Sequence, residues 1–471
     1  MLGFTRRDQQ YPKLRDAKIR KGDFAEIYEA FRPAAAAEQA ERCSQCGIPF
    51  CQVHCPLQNN IPDWLKLTAE GRLREAYDMA SATNTFPEIC GRICPQDRLC
   101  EGNCVIDKGF DSVTIGAVEK YITDTAWNEG WVQPFAPARE SGLSAAIIGA
   151  GPAGLAAAEQ LRRKGHAVHV YDRYDRVGGL LTYGIPNFKL DKDVVHRRQQ
   201  QYEASGVRFH LNCAIGQDVT LDELRDQHHA VLVATGVYKA RELKAMNAAM
   251  EGIHPAMAYL TASNRVGLDD VVPEFDNGNL NANGKHVVVI GGGDTAMDCV
   301  RTAIRQQAAS VTCLYRRDRE NMPGSAREVR YAEEEGVVFR WLSAPLGFEG
   351  ARRVEHVLVQ PMRLGAMDAS GRRMPEAIPD SREKLPANLV IMALGFDAED
   401  LPALFNAPQL QLSPYGTLLT NAHGMTSVDG VFAAGDIVRG ASLVVWAIHD
   451  GREAAENMHR HMLAKRSEKA A

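Results

Sequence analysis

No apolar run in this sequence approaches the ~18 residues that a membrane-spanning helix needs, and the most apolar stretches are broken by glycine turns. Buried strands are expected there, and no membrane association. The N-terminus lacks the apolar core of a signal peptide, and its basic residues from Arg6 to Lys21 are interspersed with Asp8 and Asp16. A solvated arm and a cytoplasmic location are expected. Excess charge of one sign is also missing: the formal net charge is -5 over 471 residues. That gives no reason to expect nucleic acid or an anionic membrane as partner. The first 140 residues show no convincing alternating strand pattern. Helical patterns are read there over Glu38 to Cys46, Ile61 to Ala80 and Val113 to Trp127.

The length suggests about three domains at ~150 residues each. Cysteine is concentrated: of 11 in the chain, eight lie between Cys43 and Cys104. They form two groups, Cys43-x2-Cys46-x4-Cys51-x3-Cys55-Pro56 and Cys90-x3-Cys94-Pro95-x4-Cys100-x3-Cys104. Thiolates this close in sequence can wrap around a soft metal centre, and eight ligands suffice for two iron–sulfur clusters. Cys-Pro endings accompany the ferredoxin arrangement, in which the last cysteine of a run ligates the other cluster. Four-cysteine zinc sites are the alternative. Disulfides fit less well, because no secretory signal precedes them and a redox-type fold follows. Cys213, Cys299 and Cys313 are scattered and read as ordinary core or surface residues. The last two are too far apart in sequence to form the C-x-x-C of a dithiol reductase.

After a linker at Gln133 to Gly142, the stretch Ala145 to Gly154 reads as a buried strand, a glycine turn and a helix start. Gly149, Gly151 and Gly154 stand in G-x-G-x-x-G order. They serve the tight turn, the approach of a pyrophosphate and close helix packing, respectively. The turn Gly149, Ala150, Gly151, Pro152, Ala153, Gly154 is thus a candidate phosphate cradle. The next strand, Ala167 to Tyr171, ends at Asp172, an acceptor for free ribose hydroxyls. Gly178 to Lys189 reads as a loop lying over a ligand, and Ala230 to Gly236 as a further strand.

A second copy begins at Lys285, with Gly291-x-Gly293-x-x-Ala296. Its following strand, Ser310 to Tyr315, ends in Arg316 and Arg317 instead of an acid. Guanidinium groups suit a 2′-phosphate that an acid would repel. The first copy therefore suits FAD and the second NADP, with a solvated surface turn as the alternative for the arginines. Asn388 to Gly395 mirrors Ala230 to Gly236 and would return the chain to the FAD unit. Gly430 to Asp436 forms another strand, whose Asp436 suits a flavin ribityl hydroxyl. A helix from Leu443 to His459 follows, with Trp446 expected to stack on the flavin ring or pack the helix. The expected class is α/β: an all-helical iron–sulfur domain (1–140), a first part of the FAD domain (141–283), an inserted NADPH domain (284–395) and a second part of the FAD domain (396–471), both dinucleotide domains being Rossmann-like.

These stretches, with Glu88 to Cys104, Gly178 to Pro186, Gly291 to Cys299, Asn321 to Ser325 and Ala434 to Gly440, make the chain resemble the small (β) subunits of bacterial NADPH-dependent glutamate synthases. The wider family includes the N-terminal part of dihydropyrimidine dehydrogenase and other NADPH:acceptor electron-input subunits. The resemblance implies two [4Fe-4S] clusters, one on Cys43, Cys46, Cys51 and Cys104, the other on Cys55, Cys90, Cys94 and Cys100. It implies FAD on the first turn with Asp172, Gly179, Leu180, Lys189, Gly435 and Asp436. It implies NADPH on Gly292, Gly293, Asp294, Thr295, Arg316 and Arg317, with Ala393 to Gly395 closing over it. It also implies a large (α) subunit carrying FMN, which makes L-glutamate from L-glutamine and 2-oxoglutarate. An NADPH:ferredoxin-type oxidoreductase with another acceptor is the alternative. No residue pattern here suggests an amidotransferase nucleophile, so this chain alone is not expected to make glutamate. Hydride chemistry belongs to the cofactors, and no catalytic acid or base is assigned.

Overall fold

The computed structural model describes residues 3–367 and 373–470. Among the described residues up to 140 there is no named strand. The helix expected over Glu38 to Cys46 lies earlier: Pro33–Ala40 is helical, opened by its N-terminal proline, and ends before the first cysteine. The cysteine loop needs non-helical backbone, including Gln45 at φ 52°. Ile61 to Ala80 is two helices, Ile61–Ala69 and Leu73–Thr83. Between them Gly71 sits at φ 76°, a conformation that glycine reaches without a Cβ clash. Trp64, Leu65, Ala76, Ala80, Val118 and Ile122 are buried together as the core of this unit.

Two five-stranded parallel sheets follow. The first runs in the order Val431–Ala433, Ala230–Val233, Ser144–Ile148, Ala167–Tyr171, Arg208–His210. The second runs Ile253–Pro255, Leu389–Met392, His286–Ile290, Ser310–Leu314, Val338–Arg340. In each, the strand before the glycine turn is central, so the turn lies at a carboxyl edge in mid-sheet. The central strands are buried on both faces, hence their continuous apolar runs.

The boundary at 283/284 is corrected. Ile253–Pro255 pairs with Leu389–Met392, and the helix Ala256–Val266 shares the core of the second sheet. This segment therefore belongs to the second sheet. A three-residue strand ending in proline carries no period by which sequence could assign it. The chain passes between the units at Lys239–Ala240 and Phe396–Asp397, which pair antiparallel. An antiparallel sheet of Ser343–Glu349, His356–Met367, Arg373–Ala377 and Glu383–Pro386 was not expected. It covers one face of the second sheet through Phe348, Val357 and Val359. No helix among the described residues is long and apolar enough to cross a membrane.

Candidate functional site: two dinucleotide turns and two thiol sets

At the first turn Gly149 has φ 111°, and a Cβ there would stand 2.4 Å from the Ala234 carbonyl oxygen. A Cβ on Gly154 would stand 2.0 Å from the Gly149 carbonyl oxygen. Gly151 is different: a Cβ on it would meet nothing within 4 Å. Its open side belongs to a cavity of about 300 Å³, lined by Pro152, Asp172, Gly179, Leu180 and Asp436 among others. Ala150 is buried, and its N–H donates to Asp172 Oδ2 at 2.7 Å. Asp172 Oδ1 accepts from the Tyr174 N–H at 2.8 Å. An ionised carboxylate has about four acceptor sites, so Asp172 can brace the turn and still accept a ribose hydroxyl. Burial raises the Asp436 carboxyl to about 6. Gly435 stands beside it at φ 77°, against Ala153.

Lys189 is not at this cavity. It lines a second one of about 290 Å³, where its Nζ donates to Asp298 Oδ1 at 2.9 Å. The acids of the Asp294–Arg305 helix hold it at the second cavity. Trp446 lies beneath the Arg439 guanidinium, 4.3 Å from its ring centroid, and packs edge-on to His449. Leu443, Val444 and Ala447 present the same helix to the first cavity.

The second turn repeats the backbone of the first. Gly291 has φ 151°, its Cβ position lies 2.2 Å from the Ala393 carbonyl oxygen, and that of Gly293 is open. Gly292 lies under the Tyr315 ring, 2.4 Å from where its Cβ would be. Asp294 and Thr295 line the second cavity. The two arginines separate. Arg316 is exposed at the strand end, whereas Arg317 is buried and its Nε donates to the Arg373 carbonyl at 2.8 Å. The two side chains of the expected pair thus stand differently, because the unforeseen antiparallel sheet engages Arg317.

The thiols sort into two sets. Burial raises Cys43 to about 11, with Cys104 and Cys46 near enough to add to the rise. Burial likewise raises Cys51 to about 12, helped by Cys104, Cys43 and Cys46. Cys55, Cys90, Cys94 and Cys100 line one small cavity, with Glu119 on its wall. Among the described residues no three His, Cys, Asp or Glu side chains are grouped to hold a single ion. Cations displace thiol protons, so both sets fit a soft cationic centre.

The first and second cavities and the Cys55/Cys90/Cys94/Cys100 cavity meet at one helix start. Leu443 and Val444 line both the first and the second cavity, and Val445 lines the thiol cavity. The second cavity also reaches Cys94, Pro95 and Gln96 of the thiol unit.

Two site residues escaped the sequence reading. Arg173 lines the first cavity, paired with Glu399 at 3.0 Å and lying over the Tyr238 ring. Its place directly after Asp172 was the available signal. Glu119 is buried, its carboxyl raised to about 8 by desolvation, and it accepts from Asn84 Nδ2 at 3.0 Å. An acid on the same helical face as Ile115 and Ile122 could have flagged it.

Residues 20–131 match the family model of dihydropyrimidine dehydrogenase domain II, 4Fe-4S cluster. Residues 143–451 match that of pyridine nucleotide-disulphide oxidoreductases. The glutamate synthase [NADPH] small chain of Azospirillum brasilense is 63% identical over 467 residues, covering 99% of this chain and 97% of that one. That of Escherichia coli K12 is 46% identical over 456 residues, covering 95% and 96%. A solved structure of Mycobacterium tuberculosis FprA in complex with NADPH shares the fold, with TM-score 0.59 and 21% identity over 70% of this chain and 86% of that one. Two dinucleotide turns, a thiol-rich helical unit and near full-length relatives together place the chain: it belongs to the family of NADPH-dependent glutamate synthase small chains and is an oxidoreductase.

Proposed function

We propose that this chain is the electron-input subunit of a glutamate synthase, with NADPH on the second turn, FAD on the first and a [4Fe-4S] cluster on each thiol set. Its electrons leave for a large subunit carrying FMN, where L-glutamine and 2-oxoglutarate yield L-glutamate. When bound, FAD accepts hydride from NADPH and the clusters carry the electrons onward singly. The chain's own part is placement. Gly151 and Gly293 leave room for pyrophosphates, Asp172 and Asp436 accept hydroxyls, and Arg316 offers a guanidinium to a 2′-phosphate.

The observation that carries this reading is the helix start at Leu443–Val445, which borders both dinucleotide cavities and the Cys55/Cys90/Cys94/Cys100 cavity. Three redox sites sharing one wall make a relay, whereas separate binding modules need no such meeting point. The purified chain is expected to reduce an artificial dye with NADPH and to make no glutamate from glutamine and 2-oxoglutarate. Adding a large FMN subunit should restore glutamate formation. Glutamate made by the chain alone, or a colourless protein holding zinc and no iron, would overturn the reading.

A further inference from the structure

The second glycine turn has a charge problem that the first lacks. The helix Pro152–Arg163 opens with an uncharged proline, whereas Asp294–Arg305 opens with an acid. A carboxylate in the first turn suits the helix dipole. It also opposes a second anion at the helix start, where a dinucleotide phosphate is expected to sit.

The countercharge comes from the cysteine-bearing unit. Arg98 lies in the 3-10 turn Gln96–Arg98, between Cys94 and Cys100. Its Nη2 donates to Asp294 Oδ2 at 3.1 Å, and its Nη1 to the Pro323 carbonyl at 2.7 Å. The other Asp294 oxygen accepts from the Ser325 N–H at 2.9 Å. Gly324 N–H donates to the Gly292 carbonyl at 2.9 Å, closing this loop onto the turn. Two more contacts join the same segments: Ser325 Oγ donates to Asp97 Oδ2 at 3.2 Å, and Arg327 Nη2 to Glu101 Oε2 at 2.8 Å. The segment holding Cys94, Cys100 and Cys104 therefore lies directly against the second turn.

We propose that Arg98 is a nucleotide-positioning residue lent by the thiol unit. It neutralises Asp294, so that the helix start can take the phosphates of a dinucleotide. Occupancy of the second turn is thereby linked to the segment between Cys94 and Cys100, and the linkage is reciprocal. This rests on the assignment of NADPH to the second turn.

The test is titration of the holoenzyme with NADP+ and with NAD+, followed by calorimetry, alongside flavin and iron content. Arg98→Gln is expected to weaken both nucleotides about tenfold or more and by equal factors, because the 2′-phosphate is not its target. Arg98→Lys should recover most of the loss. In an Asp294→Asn background, Arg98→Gln should cost only about threefold or less, since the charge to be neutralised is gone. Electron paramagnetic resonance of the reduced protein supplies a reading apart from affinity. NADP+ should alter the cluster signals of the wild type and not those of Arg98→Gln.

Wild-type affinity in Arg98→Gln, or the same loss with and without the Asp294 carboxylate, would overturn the proposal. If Arg98→Gln loses iron, the decision passes to Arg98→Lys, whose affinity must then stay within about fivefold of wild type. A wild type that binds neither nucleotide would instead sink the assignment of the second turn.

Discussion

The two glycine turns share their backbone and differ in their charge. Gly149 and Gly291 both hold positive φ, and both face a carbonyl oxygen of the neighbouring strand's end, Ala234 or Ala393, at 2.4 and 2.2 Å from the Cβ position. Gly151 and Gly293 are both open. In the third place the first turn has Gly154, tight against Gly149, and the second has the buried Ala296. The polar positions diverge: Pro152 against Asp294 at the helix start, and, just past the following strand, Asp172-Arg173 against Tyr315-Arg316. Strand, turn and helix impose the first set whatever the ligand is. Only the second set tells one dinucleotide from another.

The sharpest way to break the shared part is Gly149→Ala. Positive φ and a carbonyl at 2.4 Å leave no room for a Cβ. We expect a loss of roughly 2–4 kcal/mol in stability, seen as a much lower Tm and little bound flavin. Gly151→Val separates ligand from fold. Nothing in the protein lies within 4 Å of its Cβ position, and φ -81° with ψ -176° suits valine. The flavin-free protein should keep its stability within about 0.5 kcal/mol, while flavin affinity falls by about 100-fold or more. Unchanged flavin content in Gly151→Val would remove the phosphate from that turn.

Arg316→Glu addresses the divergent part. It should weaken NADPH about 10- to 100-fold and NADH much less, because only NADPH carries the 2′-phosphate. Equal losses in a steady-state comparison would count against the role. Arg317→Ala is the internal control. Its guanidinium is held by the Arg373 carbonyl, so the antiparallel sheet should loosen without a change in nucleotide preference.

The same division explains what sequence could disclose. The turns and their strands were legible because G-x-G-x-x-G fixes backbone geometry within a few residues. The thiol groups stood out because cysteine spacing is local. Ile253–Pro255 was not, since its place is decided by pairing with Leu389–Met392, more than a hundred residues away. The contact of Arg317 was hidden for a related reason: a strand-end position foretells where a side chain begins and not which neighbour it meets. Lys189 likewise follows Asp298, a partner no local motif announces.

The smallest expected effect concerns the two acids proposed to accept hydroxyls. Burial raises the Asp172 carboxyl, and its two backbone N–H donors reduce that rise. Asp436 has less compensation, and burial lifts it from 3.8 to about 6, with Asp450 adding to the rise. A carboxyl whose folded value lies above its unfolded value binds more protons in the native state between the two. Its contribution is therefore fully present below about pH 4 and lost as the pH rises through about 6. Asp436→Asn stays neutral throughout. The difference in stability between wild type and Asp436→Asn should move in favour of the variant by on the order of 1–2 kcal/mol between pH 4 and 7. Asp298, also raised to about 6 by burial, titrates in the same window but cancels in that difference. A pH-independent difference would mean that folding leaves the protonation of Asp436 unchanged across this window.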